Sequence, residues 1–257
     1  TEVYDPTGGN DAISMINASV MAGDNSYALA MIRSRHFNSL ITNGSLTDLS
    51  NVPNLDLESD YYMDESYDAL SIDGTHYGIV SNLSTNPYLL IFCSYFNKVM
   101  LDEYKLDDMY DVVRSGRWTI DRMYEISKTV AADVNGDGKY DSNDRYGATY
   151  IVDVSEGLIN ASGVKLAESD GSKIEKTYKS QTAVDKMQHL FDVLSDQTAT
   201  FNSHARASAS EDASVLEIGM LMERKTLITF AGIYYAPQFR DMKDDFGIIP
   251  MPKYDEA

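Results

Sequence analysis

Apolar residues recur in two rhythms along this chain, a three-to-four-residue spacing and short unbroken runs, and the two alternate throughout. Helical spacing first shows at Ile13, Ile16, Val20 and Met21, with Asn10 and Asp11 available as caps and Gly23 as a stop. The run Tyr27-Ala28-Leu29-Ala30-Met31-Ile32 predicts a buried strand, and Phe37, Leu40 and Ile41 predict a short helix closed by Gly44. Asp73-Gly74, set between half-apolar stretches, predicts a hairpin over residues 71–80. The longest apolar run predicts a central strand over 88–96, followed by mostly helical chain over 98–115. Thr119 can cap a helix whose Ile120, Met123, Tyr124, Ser127 and Val130 share one face. Further on, Gly147 to Val152 predicts a buried strand, and residues 163–179 are polar and rich in turn formers. A helix over 181–196 should turn Val184, Met187, Leu190, Phe191 and Leu194 inward. Segment 198–214 predicts a mobile loop or polar helix, Met220-Leu221-Met222 a strand, 230–242 a further element and 246–252 a closing strand. Helices alternating with short buried strands give an α/β layered architecture.

Composition narrows the partners. At 257 residues the chain can hold two domains or one large one, and 43% apolar with 24% charged residues is ordinary for a soluble globular protein. Forty acidic against 21 basic side chains give a net charge of −19, which repels nucleic acid and anionic membrane surfaces. Cys93 is the only cysteine, so neither an intrachain disulfide nor a thiolate metal site can form. It lies in the run Tyr88–Cys93 and is read as a small buried hydrophobe. No apolar run is long enough to span a bilayer, and the polar start Thr1-Glu2-Val3-Tyr4-Asp5 is no signal peptide. The histidines His36, His76, His189 and His204 are scattered, without the spacing of a catalytic zinc site.

One stretch carries a metal signal. From Asp133 to Asp144, oxygen-bearing side chains recur at loop positions 1, 3, 5, 9 and 12, as Asp133, Asn135, Asp137, Asp141 and Asp144. Gly138 holds position 6, and Lys139 at position 7 can offer its backbone carbonyl. A hard cation needs several oxygens round one centre, and this spacing supplies them, so a structural Ca2+ is expected. Position 12 departs from the EF-hand pattern, being Asp144 where a bidentate Glu is usual. The shorter carboxylate suits a structural site better than a switch. Calcium also points outside the cell, where weak sites fill.

Several segments together resemble the extracellular solute-binding proteins of carbohydrate-uptake ABC transporters. They are Val20-Met21-Ala22-Gly23-Asp24, Gly44 to Leu49, Gly74-Thr75-His76-Tyr77-Gly78 and Tyr95-Phe96-Asn97-Lys98. The order continues through Gly116-Arg117-Trp118-Thr119-Ile120-Asp121, the loop Asp133–Asp144 with Arg145-Tyr146-Gly147, and Phe246 to Lys253. The resemblance implies an α/β, two-lobed, periplasmic-binding-protein-like (type II) architecture whose first lobe is incomplete. Residues 1–90 would form a partial N-terminal lobe, 91–97 a crossing strand or hinge, and 98–257 a C-terminal lobe carrying the calcium loop. It further implies a non-enzymatic, cell-surface receptor, monomeric, anchored by an upstream lipidated segment, which delivers a sugar to a membrane permease. Members of that family are longer, so the chain reads as a fragment.

Sugars offer flat apolar ring faces fringed by hydroxyls, so their sites combine aromatic platforms with oriented polar groups. Tyr61 and Tyr62 lie where the resemblance suggests an aromatic pair near the cleft. Arg33 and Arg35, Tyr150 with Asp153, and Glu223 with Arg224 are polar candidates beside predicted strands. Trp118, at a helix start, reads as a wedge between helix and core. A secreted glycoside-processing enzyme with a structural calcium is the alternative, and forty acids supply its carboxylate pair without selecting one. A calcium-dependent adhesion module is a third class, weakened by there being one loop.

Overall fold

A computed structural model describes residues 10–24, 26–63, 66, 69–82, 84–169, 173–207 and 212–256. The chain divides into two compact units, Thr1–Leu83 with Ser169–Ile174, and Ser84–Glu168 with Glu175–Ala257.

The first unit is built from the helix Asn10–Ala22, a 3-10 turn Ser34–His36 running into the helix Phe37–Thr42, and a 3-10 turn Leu49–Asn51. Its hairpin pairs β1 (Ser71–Ile72) with β2 (Thr75–His76), in the register Ser71 to His76 and Ile72 to Thr75. Asp73 and Gly74 both take positive φ, +52° and +71°, the geometry that matches a tight turn to the twist of its strands. The hairpin and the short helix thus form where the sequence predicts them. The strand predicted over 27–32 does not form. That segment is irregular, with Leu29 86% and Met31 80% exposed. No strand among the described residues pairs with it, and an unpaired strand leaves its backbone N–H and C=O groups without protein partners.

The second unit is a five-stranded mixed sheet in the order β7-β4-β8-β3-β9, where β3 is Phe92–Asn97, β4 Tyr146–Tyr150, β7 Thr200–Asn202, β8 Thr226–Gly232 and β9 Phe246–Ile249. Strand β4 runs parallel to both β7 and β8, while β3 runs antiparallel to β8 and β9. A separate two-strand ribbon joins β5 (Ala167–Ser169) and β6 (Ile174–Lys176). Side chains alternate across the main sheet, and both faces are covered. Phe96, Ala148, Tyr150, Ile228, Phe230 and Ile249 pack on one side with Met100, Val112, Trp118, Ile120, Met123, Val154 and Leu190. On the other, Cys93, Tyr95 and Ala231 meet Ile218, Leu221, Tyr235 and Phe239, beside a smaller cluster of Tyr146, Phe201 and Met220. Cys93 is a buried core thiol, and burial pushes it up from its ordinary range.

The helix Ile120–Val130 forms as its spacing predicts, with the Thr119 hydroxyl accepting from the Arg122 N–H at 3.1 Å. Trp118, 3% exposed, donates its indole N–H to the Pro250 carbonyl at 2.8 Å and so ties this helix start to the end of β9. The helix crosses β4 at its closest point over Gly147, where a Cβ would fall 1.8 Å from the Ser127 Cα. Only a glycine leaves room there.

Besides residues 27–32 and residues 200–202, which form the strand β7 inside a segment predicted as loop or polar helix, three elements differ from their predictions. The run from 88 opens with a helical turn, Asn86–Leu89, and β3 starts only at Phe92. Pro87 lacks an N–H and is preorganised for a first helical turn, which diverts the run from the ladder. Met220–Met222 ends the helix Ala213–Met222, begun by Asp212, whose carboxylate accepts from Ser214 and Val215 N–H. A short apolar run alone does not separate helix from buried strand. In the helix Gln181–Ser195, Val184 and Phe191 face solvent, and the buried face is Ala183, Leu190, Val193 and Leu194.

The Gly147 crossing yields a stability prediction. Gly147→Ala must displace the Ser127 backbone and should cost ~3 kcal/mol or more, read as a lower urea midpoint at unchanged slope. A loss below ~0.5 kcal/mol, the range of a surface substitution, would show that the helix does not press on β4.

Candidate functional site

Because β7, β4 and β8 point the same way, their carboxyl ends gather at one edge of the second unit, and β3 begins there. The register places Tyr150 beside both Asn202 and Phe230, and Gly232 beside Phe92. Ligands of open α/β sheets collect outside such carboxyl ends. The chain leaving β4 enters the helix Val152–Ala161. The Val152 N–H donates to Nδ1 of His204, 3.2 Å away, which fixes the helix start against the short helix Ser203–Arg206 after β7. From β8 the chain turns into the 3-10 segment Ile233–Asp241, whose Ile233 N–H donates to the Ile91 carbonyl at 2.9 Å.

This edge exposes apolar surface. Val152 is 52%, Tyr234 39% and Ile233 37% exposed, and the adjoining Tyr88, Leu89, Leu90 and Ile91 are each at least 40% exposed. The Tyr234 ring folds back on the end of β8, against Gly232, and lies 4.2 Å from the Tyr235 ring at 34°. Its hydroxyl is held above the ordinary phenol range by burial, then by Tyr235 and by the nearby carboxyls of Glu217 and Asp153. Asp153 is exposed in the first turn of its helix, where a carboxylate offsets the positive helix end. Glu217, by contrast, is 1% exposed, and its Oε1 has no hydrogen-bond partner. Burial pushes its carboxyl well above the usual carboxylate range.

The residues predicted from sequence distribute unevenly. Asp153 lies at the edge. Tyr150, its predicted neighbour, is 6% exposed and turns into the core, its hydroxyl donating to the Leu194 carbonyl at 2.9 Å. Arg224 lies before β8, at the opposite edge, since Thr226 pairs with Tyr146 at the far end of β4. Roughly 13 Å of strand separates Thr226 from Phe230. Arg224 serves a structural clamp there. Its Nε and Nη2 donate to the two Asp244 oxygens at 2.6 and 2.8 Å, and Nη1 to Glu103 at 2.9 Å. Asn97 completes the clamp by donating to Asp244 at 2.8 Å, and Asp244 is held below the usual carboxylate range, chiefly by Arg224. Arg224 takes φ +59° to do this. Arg33, Tyr61 and Tyr62 belong to the first unit, where Tyr61 is 48% exposed and meets the Tyr62 ring edge-on at 5.2 Å. The Arg35 side chain lies outside the described residues.

Tyr234 and Glu217 escaped the sequence reading. The apolar stretch around Met220 reads as a strand, which hides a glutamate set on the buried face of a helix. The adjacent tyrosines after a strand are the only signal of the platform.

The loop Asp133–Asp144 closes on itself. Both Asp133 oxygens accept backbone N–H groups, from Gly136 at 2.7 Å and Gly138 at 2.8 Å, and both glycines take positive φ. Asp144 is fully buried and joins the loop's two ends, accepting from Val134 and Asp141 N–H, each at 2.9 Å. Asn135, Asp137 and Asp141 each accept an N–H two residues on. Among the described residues, no three His, Cys, Asp or Glu side chains are grouped to hold a metal. The loop is fastened to the sheet by Tyr146, whose hydroxyl donates to the Asp141 carbonyl at 3.0 Å and is pushed up to about 12 by burial. Arg206 donates to that hydroxyl at 2.9 Å and stacks over the Tyr146 and Phe201 rings.

Comparison with solved structures sets this architecture in a known class. A galacto-N-biose/lacto-N-biose I-binding protein of an ABC transporter from Bifidobacterium longum superposes with TM-score 0.64 at 16% identity, over 97% of this chain and 55% of its own. The maltose/maltodextrin-binding domain MalE from Bdellovibrio bacteriovorus gives 0.52 at 19% identity, over 100% of this chain and 65% of its own. The fold is that of the two-lobed solute-binding proteins. UgpB from Mycobacterium tuberculosis, solved with glycerophosphocholine, gives 0.58 at 14% identity, over 96% of this chain and 58% of its own. The chain therefore spans little more than half the length of several such proteins, as part of their two-lobed fold. No protein-family model and no curated protein matches the sequence.

The orphaned Glu217 leads to a prediction. Its folded-state affinity for a proton exceeds that of the unfolded chain, so its presence lowers stability as pH rises above the ordinary carboxylate range. Glu217→Met removes a buried unsatisfied group and should stabilise the chain at pH 7.5 by ~1–3 kcal/mol, with a smaller gain at pH 4. Thermal melts at both pH values check this. A destabilised variant at pH 7.5 would show that the carboxyl is satisfied.

Proposed function

We propose that the chain is the substrate-binding component of an ABC transporter, which holds a carbohydrate and passes it to a permease without altering it. What carries the reading is the exposed platform of Tyr234, Ile233 and Val152 at the carboxyl edge of β4 and β8, in a fold shared with sugar-binding proteins. Apolar ring faces of a sugar suit that surface, and Asp153 can accept from its hydroxyls. Residues 1–90 are proposed as part of the first lobe, 91–97 as a crossing strand and 98–257 as the second lobe. The protein acts outside the cell as a monomer, tethered by a lipidated segment. Among the described residues no helix is long and apolar enough to cross a membrane. The non-catalytic reading is supported by the fold shared with sugar-binding transport proteins.

Calcium in the loop is the second half of the proposal. The donor set is all oxygen and suits a hard cation in kind; the carboxylates are not grouped round one point as they stand, and an oxygen that accepts one N–H keeps further lone pairs with which to turn to an ion. Asp133, Asn135, Asp137, Asp141 and Asp144 would hold it with the Lys139 carbonyl. The ion would offset half the charge of four carboxylates confined to one short loop and so brace the exit of the helix Ile120–Val130.

Thermal melts of the whole chain test both halves. Calcium at about a hundred times its Kd should stabilise by ~2.7 kcal/mol, and chelator should reverse this. Asp144→Ala should abolish the response and, by freeing two partly buried N–H groups, cost ~1 kcal/mol or more without metal. A melt indifferent to calcium would remove the ion from the account. A panel of neutral oligosaccharides should include at least one that raises Tm without being cleaved. Turnover of a glycoside would contradict the receptor reading.

A further inference from the structure

The helix Val152–Ala161, which opens the candidate site, lacks a cap of its own. Ile151 stands at the cap position, and an apolar side chain has no oxygen to offer the first-turn N–H groups. Thr119, Ser180 and Asp212 supply that oxygen to other helices of the second unit. Here the acceptor comes from the end of another strand. Strand β4 pairs Tyr150 with Asn202 of β7, and two residues beyond each of them the Val152 N–H meets Nδ1 of His204 at 3.2 Å.

His204 stands on a fixed base. Asn202 caps its short helix by accepting from Ala205 N–H at 3.1 Å, and Ser203 is fully buried. At the other end Arg206 donates to the Tyr146 hydroxyl at 2.9 Å and to the Gln197 carbonyl at 3.2 Å. The imidazole therefore reaches Val152 from a held position, and Val152 with Asp153 is the part of the platform that this bond places.

An imidazole nitrogen accepts only while it carries no proton. With both nitrogens protonated, Nδ1–H faces the Val152 N–H donor to donor, and a positive charge stands at the positive end of the helix. The bond is then lost, and the exposed ring is free to turn to solvent. The charged groups on the elements packed against His204 are Arg206 on its own helix, Asp153 and Glu156 on the helix it caps, and Asp212, Glu217 and Glu223 on or beside the helix Ala213–Met222. Strand β7 has none. Arg206 is committed to Tyr146 and Gln197, and Asp212 to the Ser214 and Val215 N–H groups.

Building on the carbohydrate reading above, we infer that His204 is a positioning residue of the site: its neutral imidazole caps the helix that presents Val152 and Asp153, and its protonation loosens that helix start and weakens the hold on the sugar. His204 acts through these two residues and need not touch the ligand. Acid favours release.

Calorimetric titration of the whole chain with the neutral trisaccharides maltotriose, cellotriose and xylotriose, at pH 7.5 and pH 5, tests this across the range where imidazoles change charge. The trisaccharide that binds best should bind about fivefold or more weakly at pH 5, the worth of one hydrogen bond. His204→Asn sets an amide oxygen where Nδ1 stands and has no proton to gain, so it should keep the affinity and lose this dependence. His204→Ala should bind weakly at both pH values with Tm almost unmoved, because the lost bond is exposed. An equal pH dependence in His204→Asn and the unsubstituted chain would assign it to Glu217 and the other carboxyls, overturning the inference and leaving the receptor reading standing. Undiminished affinity in His204→Ala at pH 7.5 would overturn it too. Binding of none of the three sinks the receptor reading. The Val152 amide resonance then still judges His204: a shift between the two pH values that His204→Asn abolishes upholds the cap, and no shift overturns it.

Discussion

The shared direction of β7, β4 and β8 is the constraint on which the candidate site depends. Parallel strands bring three carboxyl ends to one edge, and the chain leaving each of them supplies a piece of the surface: Asp153 from β4, His204 from β7, Tyr234 from β8. Strand β3 enters from that edge, pairing Phe92 with Gly232 and carrying the apolar stretch that adjoins the platform. Were β8 reversed, Arg224 and its carboxylate partners would stand where Tyr234 does. The parallel arrangement therefore sets the chemistry of the edge, an exposed tyrosine and a helix start held by His204, as well as its shape.

The opposite edge answers a structural need. There Arg224, Asp244, Glu103 and Asn97 bind the start of β8 to the end of β3 and the approach to β9. A bidentate guanidinium–carboxylate pair has a fixed planar geometry, and Arg224 accepts a left-handed backbone to make it. On the outer flank, the closed loop Asp133–Asp144 reaches the sheet through Tyr146 and Arg206, so the same helix-to-strand connection that Gly147 makes tight is also tied down at its turn.

Much of this was legible in the sequence. Asp-Gly at 73–74 gave a hairpin because its turn chemistry is local, and Thr119 gave a helix start because capping needs only the next turn. Gly138 takes the positive φ that its place at loop position 6 suggests, while Asp133 and Asp144, read as cation donors, accept backbone N–H groups that close the turn. Elements that depend on distant partners were harder. The apolar run at 27–32 has the composition of a strand and no ladder to join. Tyr150 looked like a ligand residue beside a strand end, and only the packed structure shows its hydroxyl satisfied by Leu194. Phe191 looked buried by period, and the helix is rotated so that Leu190 and Val193 take the core. Glu217 was invisible because a charged residue within an apolar helix gives no sign of which way it faces.

Hydrogen exchange across the whole chain, measured with and without a bound oligosaccharide, tests the placement of the site most directly. Protection confined in the second unit to residues 150–157 and 232–236 is the predicted result. Protection at the Arg224, Glu103 and Asp244 edge instead, with none around Tyr234, would contradict the account.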